Sequence, residues 1–162
     1  MRRYIVLFIL YFIIYLLLSG GTYFTDVFFA AVVAAIASAL TAKLLVRNEE
    51  KLGLRRLYYL LKYFFRYMLV DEIRAHIDVA RRVLTGEIKP GIVAVPYYVG
   101  SDYAKTLIAN SITNTPGTVV VGIDDREKLM YVHWIDVKAL DPSTCRMYIS
   151  RVFEEYAMKI FE

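Results

Sequence analysis

Two long apolar runs within the first 46 residues constrain the fold of this chain more than any other stretch. Between Arg3 and Asp26 lie 22 residues without an ionisable side chain other than tyrosine. The second run follows Asp26 and reaches Val46, with Lys43 as its charged residue. About 20 helical residues cross the hydrocarbon core of a bilayer. The sequence therefore predicts a transmembrane hairpin over residues 1–46, with helices at about 4–24 and 27–46.

The distribution of basic residues predicts the orientation of this hairpin. Arg2 and Arg3 precede the first run, and the basic residues after the second run begin with Lys43, Arg47 and Lys51, whereas the loop between the runs has none. The positive-inside rule then places both ends in the cytoplasm of a multi-pass protein of the cell membrane, and this topology accounts for the net charge of +4 without a nucleic-acid partner. A signal peptide is the alternative, but the first run exceeds a usual signal core, which favours a retained anchor.

Small residues in the second run predict a surface for helix packing. Ala31, Ala34, Ala35 and Ser38 recur at spacings of three and four, which places them along one strip of a helix. Such a strip admits close approach of another helix backbone. That helix is either the first one of the hairpin or a helix of a neighbouring subunit.

Residues 54–86 have the pattern of a long amphipathic helix that links the hairpin to the rest of the chain. Arg55, Lys62 and Arg66 fall on one side of it, and leucine and aromatic side chains surround the remainder. A basic, aromatic-rich helix of this kind lies in the membrane interface, against anionic headgroups or neighbouring proteins. A third membrane span over about residues 54–74 is the alternative.

The last part of the chain, residues 88–162, predicts a small cytoplasmic α+β domain. Apolar β-branched runs indicate strands at 92–99, 119–123 and 129–137. Ser101 can cap a helix, and a last helix opens with Asp141 as its cap residue and Pro142 at its first position. We expect Tyr148, among others, in the buried stripe of that last helix. The order β-α-β-β-α resembles a truncated ferredoxin-like sandwich, so the predicted fold class is membrane α plus α+β.

The sequence offers little for catalysis, metal binding or ion conduction. An ion path needs charged side chains inside the bilayer, and the apolar runs lack them. His76 and His133 have no second histidine or cysteine at ligand spacing, and Cys145 has no neighbouring base. We therefore expect no enzyme activity, metal, cofactor or small-molecule substrate for this chain alone.

One stretch carries more polar side chains than a simple turn requires. Hydroxyl and amide groups surround the predicted helix end and turn at Asn110, Thr113, Thr115, Pro116, Gly117 and Thr118. Such side chains satisfy the carbonyls at a helix end and hold a tight loop in one shape. Further along, His133 and Trp134 lie on opposite faces of a predicted strand. These residues are either structural or dock against a partner subunit.

The motif ANSITNTPGT, followed by a strand, an acidic turn and LYVHWID, resembles a known family. That family is the E subunit of Mrp-type, also called Mnh-type, multisubunit cation/proton antiporters. Its members have membrane helices at the N-terminal end and a small cytoplasmic α+β domain, which is the order predicted here. The resemblance extends over nearly the whole chain.

The resemblance implies a non-catalytic structural subunit of a sodium/proton antiport module, with other subunits and membrane lipid as partners. Relatives also occur in archaeal membrane-bound hydrogenases and sulfur-reducing complexes. The scarcity of glutamine, asparagine and cysteine is a compositional feature of hyperthermophile proteins. The host complex is therefore either a stand-alone antiporter or an archaeal hydrogenase or sulfur-reducing complex. A membrane-tethered regulatory domain that binds a small ligand or a protein is the alternative function.

Overall fold

The computed structural model describes residues 1–21, 23–46, 49 and 53–162. These residues form two compact units, Met1–Leu54 and Arg55–Glu162. Arg47 and Lys51, on which the predicted orientation partly depends, lie outside the described residues.

In the described part of the first unit lie two α-helices, α1 (Arg2–Ser19) and α2 (Phe24–Leu45). Both are long enough and apolar enough to cross a membrane. The first helix ends earlier than predicted because Gly20 adopts the left-handed conformation, with φ of 63°, and stops it. Asp26 lies in the first turn of α2 and accepts a hydrogen bond from the backbone N–H of Tyr23, 3.2 Å away.

The packing of α1 against α2 uses the small residues of α2. Ala30, Ala34, Ser38 and Ala42 are buried at successive turns of α2, and Leu7 is buried on α1. The hydroxyl groups of Tyr11 and Thr41 form a hydrogen bond of 2.8 Å between the helices. Large apolar side chains on the outer surfaces of both helices stay exposed.

A long helical segment opens the second unit, as the amphipathic pattern predicted. It consists of α3 (Leu54–Arg66), a π-helical turn (Tyr67–Asp71) and α4 (Glu72–Thr85). The sequence pattern did not predict the π turn, in which the helix accommodates an extra residue. Gly86, with φ of 71°, ends α4.

The sheet of the second unit has three antiparallel strands, β1 (Gly91–Pro96), β2 (Thr118–Asp124) and β3 (Leu129–Trp134). Their order is β1-β3-β2, so β3 lies between two strands that are parallel to each other. The helix α5 (Asp102–Asn114) connects those two strands. A bulge at Val121 shifts the register of β2 against β3. The structure confirms an α+β arrangement after two apolar helices.

Helices and one sheet face enclose the core. The inward side chains of the sheet include Val95, Met130 and Val132, and Ile108 and Ile112 of α5 pack among them. The last two helices, α6 (Pro142–Ile149) and α7 (Arg151–Phe161), complete the layer.

Three local expectations need correction. The single last helix is broken at Ser150, so Tyr148 belongs to α6, is 61% exposed and lies outside the buried stripe of α7. The strands β1 and β3 end earlier than predicted, at Pro96 and Trp134. Ser101 precedes α5 at the capping position, but its side chain makes no capping hydrogen bond. Asp141 does cap α6 as predicted, since its side chain accepts from the backbone N–H of Thr144 at 2.9 Å.

Candidate interaction surfaces

A row of tyrosines joins α3 to the rest of the second unit. Tyr59, Tyr63 and Tyr67 recur every four residues, and Tyr63 is only 6% exposed within the core. The Tyr63 ring lies 5.4 Å from that of Tyr156 and 6.5 Å from that of Phe153, both on α7. Sequence analysis missed this seam, although the four-residue spacing of the tyrosines could have indicated it.

Two tyrosine hydroxyl groups reach the end of α5. The Tyr63 hydroxyl is hydrogen-bonded to Ser111 Oγ, and the Tyr67 hydroxyl lies 3.5 Å from both the Ser111 carbonyl oxygen and Thr115 Oγ1. Burial raises the pKa of Tyr63 to about 12. Burial, and then the hydrogen bond to Glu72, also raises the pKa of Tyr67 well above its usual range. Both hydroxyl groups are therefore protonated and neutral at physiological pH.

Hydroxyl groups hold the predicted turn after α5 in one shape. Thr115 Oγ1 donates to the Ser111 carbonyl at 2.7 Å, and Thr118 Oγ1 donates to the Ile112 carbonyl at 2.7 Å. Thr113 Oγ1 accepts from the backbone N–H of Val120 at 3.3 Å. The bond from Thr118 satisfies a carbonyl group near the end of the helix, and the bond to Thr113 ties that end to β2.

The other predicted residues of this turn differ in role. Gly117 has φ of 93°, and a Cβ atom there would meet side-chain atoms of Ile135 at 3.0 Å and Val79 at 3.3 Å. Pro116 is half-buried, while the side chain of Asn110 is exposed on α5. The structure thus gives Thr115, Gly117 and Thr118 internal structural contacts and leaves Asn110 at the surface.

His133 and Trp134 lie on opposite faces of β3. Trp134 belongs to the buried core, 9% exposed, with its ring 5.9 Å from that of Tyr148. His133 is half-buried on the outer face, where it pairs with Ile92 and Val119 in the sheet register. Trp134 is therefore a structural residue here, and the outer sheet face carries exposed Ile92, Val119 and Val121.

The small residues of the predicted strip on α2 do not all face the same side of the helix. Ala34 and Ser38 are buried within the hairpin, and Ala31 is half-buried. Ala35 is exposed on the outer surface of α2. Ser38 Oγ donates to the Ala35 carbonyl at 3.0 Å, and Thr41 Oγ1 donates to the Ala37 carbonyl at 2.7 Å.

The two basic site residues predicted on α3 have different surroundings. Arg66 Nε lies 3.4 Å from a carboxylate oxygen of Asp71, across the π turn. Lys62 is exposed, and its Nζ lies 6.0 Å from the centre of the Tyr58 ring. Among the residues that the structure describes, Lys62 is therefore available to an external anion, whereas Arg66 would first have to release the carboxylate of Asp71.

Sequence analysis also missed a buried ion pair in the second unit. Glu154 on α7 is fully buried, and Arg146 Nε on α6 donates to its carboxylate at 2.6 Å. The backbone N–H of Tyr98 donates to the other Glu154 oxygen at 2.6 Å. The guanidinium of Arg146 lies 4.9 Å from the centre of the Tyr98 ring. This network fixes the loop after β1 against α6 and α7.

The carboxylates of the acidic turn after β2 make contacts within the domain. Asp124 accepts hydrogen bonds from the backbone N–H groups of Arg126 and Glu127, at 2.9 and 3.1 Å. Asp125 accepts from the Tyr97 hydroxyl and from Lys105 Nζ, each at 2.7 Å. The Lys105 ammonium holds the pKa of Asp125 below its usual range. These carboxylates act as turn and ion-pair residues.

Cys145 and the cleft beside α4 show no reactive arrangement. Burial raises the pKa of the Cys145 thiol, which donates to the Ala139 carbonyl at 3.1 Å. A cleft of about 490 Å³ beside α4 is lined in part by Asp78, Arg82 and Asp136. Arg82 bonds both carboxylates, at 2.7 and 2.9 Å, so these three charged groups satisfy one another. Within the described residues, no group of three or more potential metal ligands converges.

Comparison with known proteins identifies relatives along most of the chain. The family model MNHE, described as a Na+/H+ ion antiporter subunit, matches residues 8–160. The chain is 38% identical over 86 residues to the E subunit of the Na(+)/H(+) antiporter of Alkalihalophilus pseudofirmus, a match that covers 52% of this chain and 54% of that protein. It is 42% identical over 69 residues to the E1 subunit of the Na(+)/H(+) antiporter of Staphylococcus haemolyticus, covering 41% of this chain and 43% of that protein. The chain thus spans about half the length of the curated relatives it matches.

A solved structure matches over a longer range. A chain of the membrane-bound sulfane sulfur reductase, an archaeal respiratory membrane complex, superposes with a TM-score of 0.79 and 32% identity. The match covers 99% of this chain and all of that one. Together with the family model, it confirms the resemblance drawn from the turn after α5 and the strand that carries His133. The chain belongs to the MNHE family of Na+/H+ antiporter subunits.

Proposed function

We propose that this chain is a non-catalytic accessory subunit of an Mrp-type Na+/H+ antiporter module, where it supports assembly and stability of the ion-translocating complex. The observation that carries the proposal is the family match over residues 8–160. Other subunits of the complex and membrane lipid are its partners in this proposal.

The character of the two apolar helices supports an accessory role. Ion transfer through a bilayer needs ionisable side chains at membrane depth. In α1, Tyr4–Ser19 has no acidic residue, basic residue or histidine, and the charged residues of α2 are Asp26 in its first turn and Lys43 in its last. The conducting groups would then belong to other subunits.

The membrane topology belongs to the same proposal. Residues 1–46 cross the membrane twice, both ends of the hairpin are cytoplasmic, residues 54–86 form an interfacial helix that follows the hairpin, and residues 88–162 form the cytoplasmic domain. The basic residues beside the apolar runs support this orientation. The strand order β1-β3-β2, in which α5 connects the two outer strands along the chain, supports a ferredoxin-like domain that lacks its fourth strand.

The host complex is either a stand-alone antiporter or an archaeal respiratory complex of the hydrogenase or sulfur-reducing type. The likeness to the sulfane sulfur reductase chain extends along the whole sequence, whereas the likeness to the curated antiporter subunits covers about half of it. The chain-length likeness to the reductase chain, at 32% identity, supports the respiratory setting.

Isolation from native membranes tests the proposal. We expect the tagged chain, extracted in mild detergent, to co-purify in stoichiometric amounts with large antiporter-like subunits, identified by native mass spectrometry. A hydrogenase or sulfur-reductase subunit among them would identify the host. Recovery as a stable monomer would contradict the proposal and favour a membrane-tethered regulatory domain.

A further inference from the structure

The helix α3 has one face that the second unit covers and one that it leaves open. Tyr59 and Tyr63 pack against the core, while Leu54, Leu61 and Phe65 on the opposite side are 82%, 49% and 58% exposed. At about 100° per residue, the exposed apolar side chains occupy about half of the helix circumference. Leucine and phenylalanine in such numbers are unusual on a surface that faces water.

Three cations border this open face. Arg55 and Lys159 both lie over the Tyr59 ring, at 5.8 and 5.6 Å from its centre, and Lys62 lies over the Tyr58 ring at 6.0 Å. Among the described residues, no carboxylate pairs with any of the three, whereas the neighbouring Arg66 has Asp71. Positions 55, 59 and 62 share one side of the helix, so the cations and rings form a basic border along the open apolar face.

The composition and position of α3 indicate what covers it. From Leu54 to Val70 the chain has no acidic residue. Seven residues separate Leu54 from Val46, the last residue of the predicted hairpin, and an extended chain of that length spans about 25 Å at most. An apolar half bordered by cations that have no carboxylate partner among the described residues matches a bilayer surface, which places phosphate groups beside acyl chains. Aromatic rings that hold cations are common at that depth.

We propose that α3 lies in the cytoplasmic interface of the membrane and that its basic border, Arg55, Lys62 and Lys159, binds the phosphate groups of anionic phospholipids. The open apolar half then lies among the upper acyl chains. This inference rests on the proposed membrane location of the hairpin. It identifies an anionic lipid surface, and not another subunit, as the direct partner of this face.

Spin labels on the full chain test the position of the open face. Cys145→Ala provides a cysteine-free background, and Leu61→Cys or Phe64→Cys places a nitroxide on that face. Met147→Cys, at an exposed position of α6, is the matched control. In nanodiscs that contain phosphatidylglycerol, we expect the labels at 61 and 64 to be accessible to oxygen and protected from a water-soluble nickel complex, with the reverse at 147.

Neutralising the border tests the chemistry of the ligand. We expect Arg55→Gln, Lys62→Gln and Lys159→Gln each to lower the affinity for phosphatidylglycerol about fivefold, measured by native mass spectrometry of retained lipid. The control variants Arg126→Gln and Arg151→Gln, which are basic residues elsewhere on the domain, should retain the wild-type affinity. Inorganic phosphate should not displace the lipid, which separates a headgroup site from a site for free phosphate.

Three outcomes with the isolated chain would overturn the inference. These are labels at 61 and 64 that remain accessible to the nickel complex in the bilayer, equal lipid affinity in the border and control variants, or displacement of the lipid by phosphate. Loss of oxygen access at 61 and 64 only when the whole complex assembles would also overturn it, because another protein would then cover the face. Co-purification with antiporter-like subunits is a separate result, so either proposal can fail alone.

Discussion

The two units of this protein bury opposite kinds of side chain. The hairpin encloses alanine and serine at Ala34 and Ser38 and turns isoleucine, leucine and phenylalanine outward. The second unit encloses Ile108, Met130 and a charged group, Glu154, and carries most of its ion pairs at the surface. In the hairpin, by contrast, the hydroxyl groups of Ser38 and Thr41 bond carbonyls of their own helix. The difference indicates that each unit is adapted to a different solvent.

Breaking the buried ion pair should have the largest effect on the second unit. Arg146→Met leaves the fully buried Glu154 carboxylate without its cation, and we expect the free energy of unfolding to fall by about 3 to 5 kcal/mol. Trp134, the single tryptophan and a core residue, reports the transition by fluorescence during denaturation in detergent. The control Arg151→Met removes an exposed pair of 3.6 Å with Glu155 and should cost less than about 1 kcal/mol. Equal losses would refute the comparison.

Core truncation should come next. Ile108 is fully buried, so Ile108→Ala should lower the free energy of unfolding by about 2 to 5 kcal/mol through lost contacts and a cavity. Ile92, on the outer sheet face, is 62% exposed, and Ile92→Ala should change the free energy of unfolding by no more than about 0.5 kcal/mol. The same fluorescence assay measures both. A large loss at Ile92 would show that the outer face is already covered in the isolated chain.

The hairpin should respond to the opposite change, an increase in side-chain size. Ala34 has no exposed surface, and Ala34→Leu should destabilise the α1–α2 contact by about 1 to 3 kcal/mol. Pulsed EPR between nitroxides at Ile13→Cys and Val33→Cys, in a Cys145→Ala background, should show a longer and broader distance distribution. Ala35→Leu, on the exposed side, should leave the distribution unchanged. Tolerance of leucine at both positions would mean that the strip does not set the helix distance.

The last predicted effect is absent at neutral pH and concerns Tyr63. Burial raises the pKa of this phenol from 10.0 to about 12, so the unfolded state loses its proton first as pH rises. Stability from this group is therefore complete below pH 10 and is lost progressively between about pH 10 and 12, by about 2 to 3 kcal/mol in all. Tyr63→Phe should remove that part of the alkaline fall, measured by denaturant titration. Ser111→Ala keeps the buried phenol and should keep the fall; its absence there would contradict burial as the cause.

The elements that depend on local patterns could be predicted from the sequence. The apolar runs of α1 and α2, the amphipathic pattern of α3 and α4, and the cap at Asp141 are each encoded within a few turns. The positions of β1, β2 and β3 followed from apolar β-branched runs, with errors of a few residues at their ends. The family followed from the turn after α5 and the strand around His133.

Contacts between distant residues could not be predicted. The Glu154 network joins side chains to the Tyr98 backbone across 56 residues, and no periodicity in either segment indicates it. The break at Ser150, which moved Tyr148 to the surface, likewise depends on tertiary packing. Trp134 was predicted to lie opposite His133 on the strand, but only the assembled core shows which of the two faces inward. The division of α3 into a covered and an open face needed α7 in place.

The π turn has a consequence for the rotational phase of the long helix. Residues that face the domain recur every fourth position, at Tyr59, Tyr63, Tyr67, Asp71, Ala75 and Val79, and all are at least half-buried. In a regular α-helix such a repeat drifts by about 40° at each step and would leave the domain within a few turns. One extra residue in the turn takes back about 100° of this drift, which keeps the seam on the domain side along α3 and α4. The π turn thus corrects the rotation of α4 relative to α3, and deletion of one residue within it would turn the covered side of α4 away from the domain.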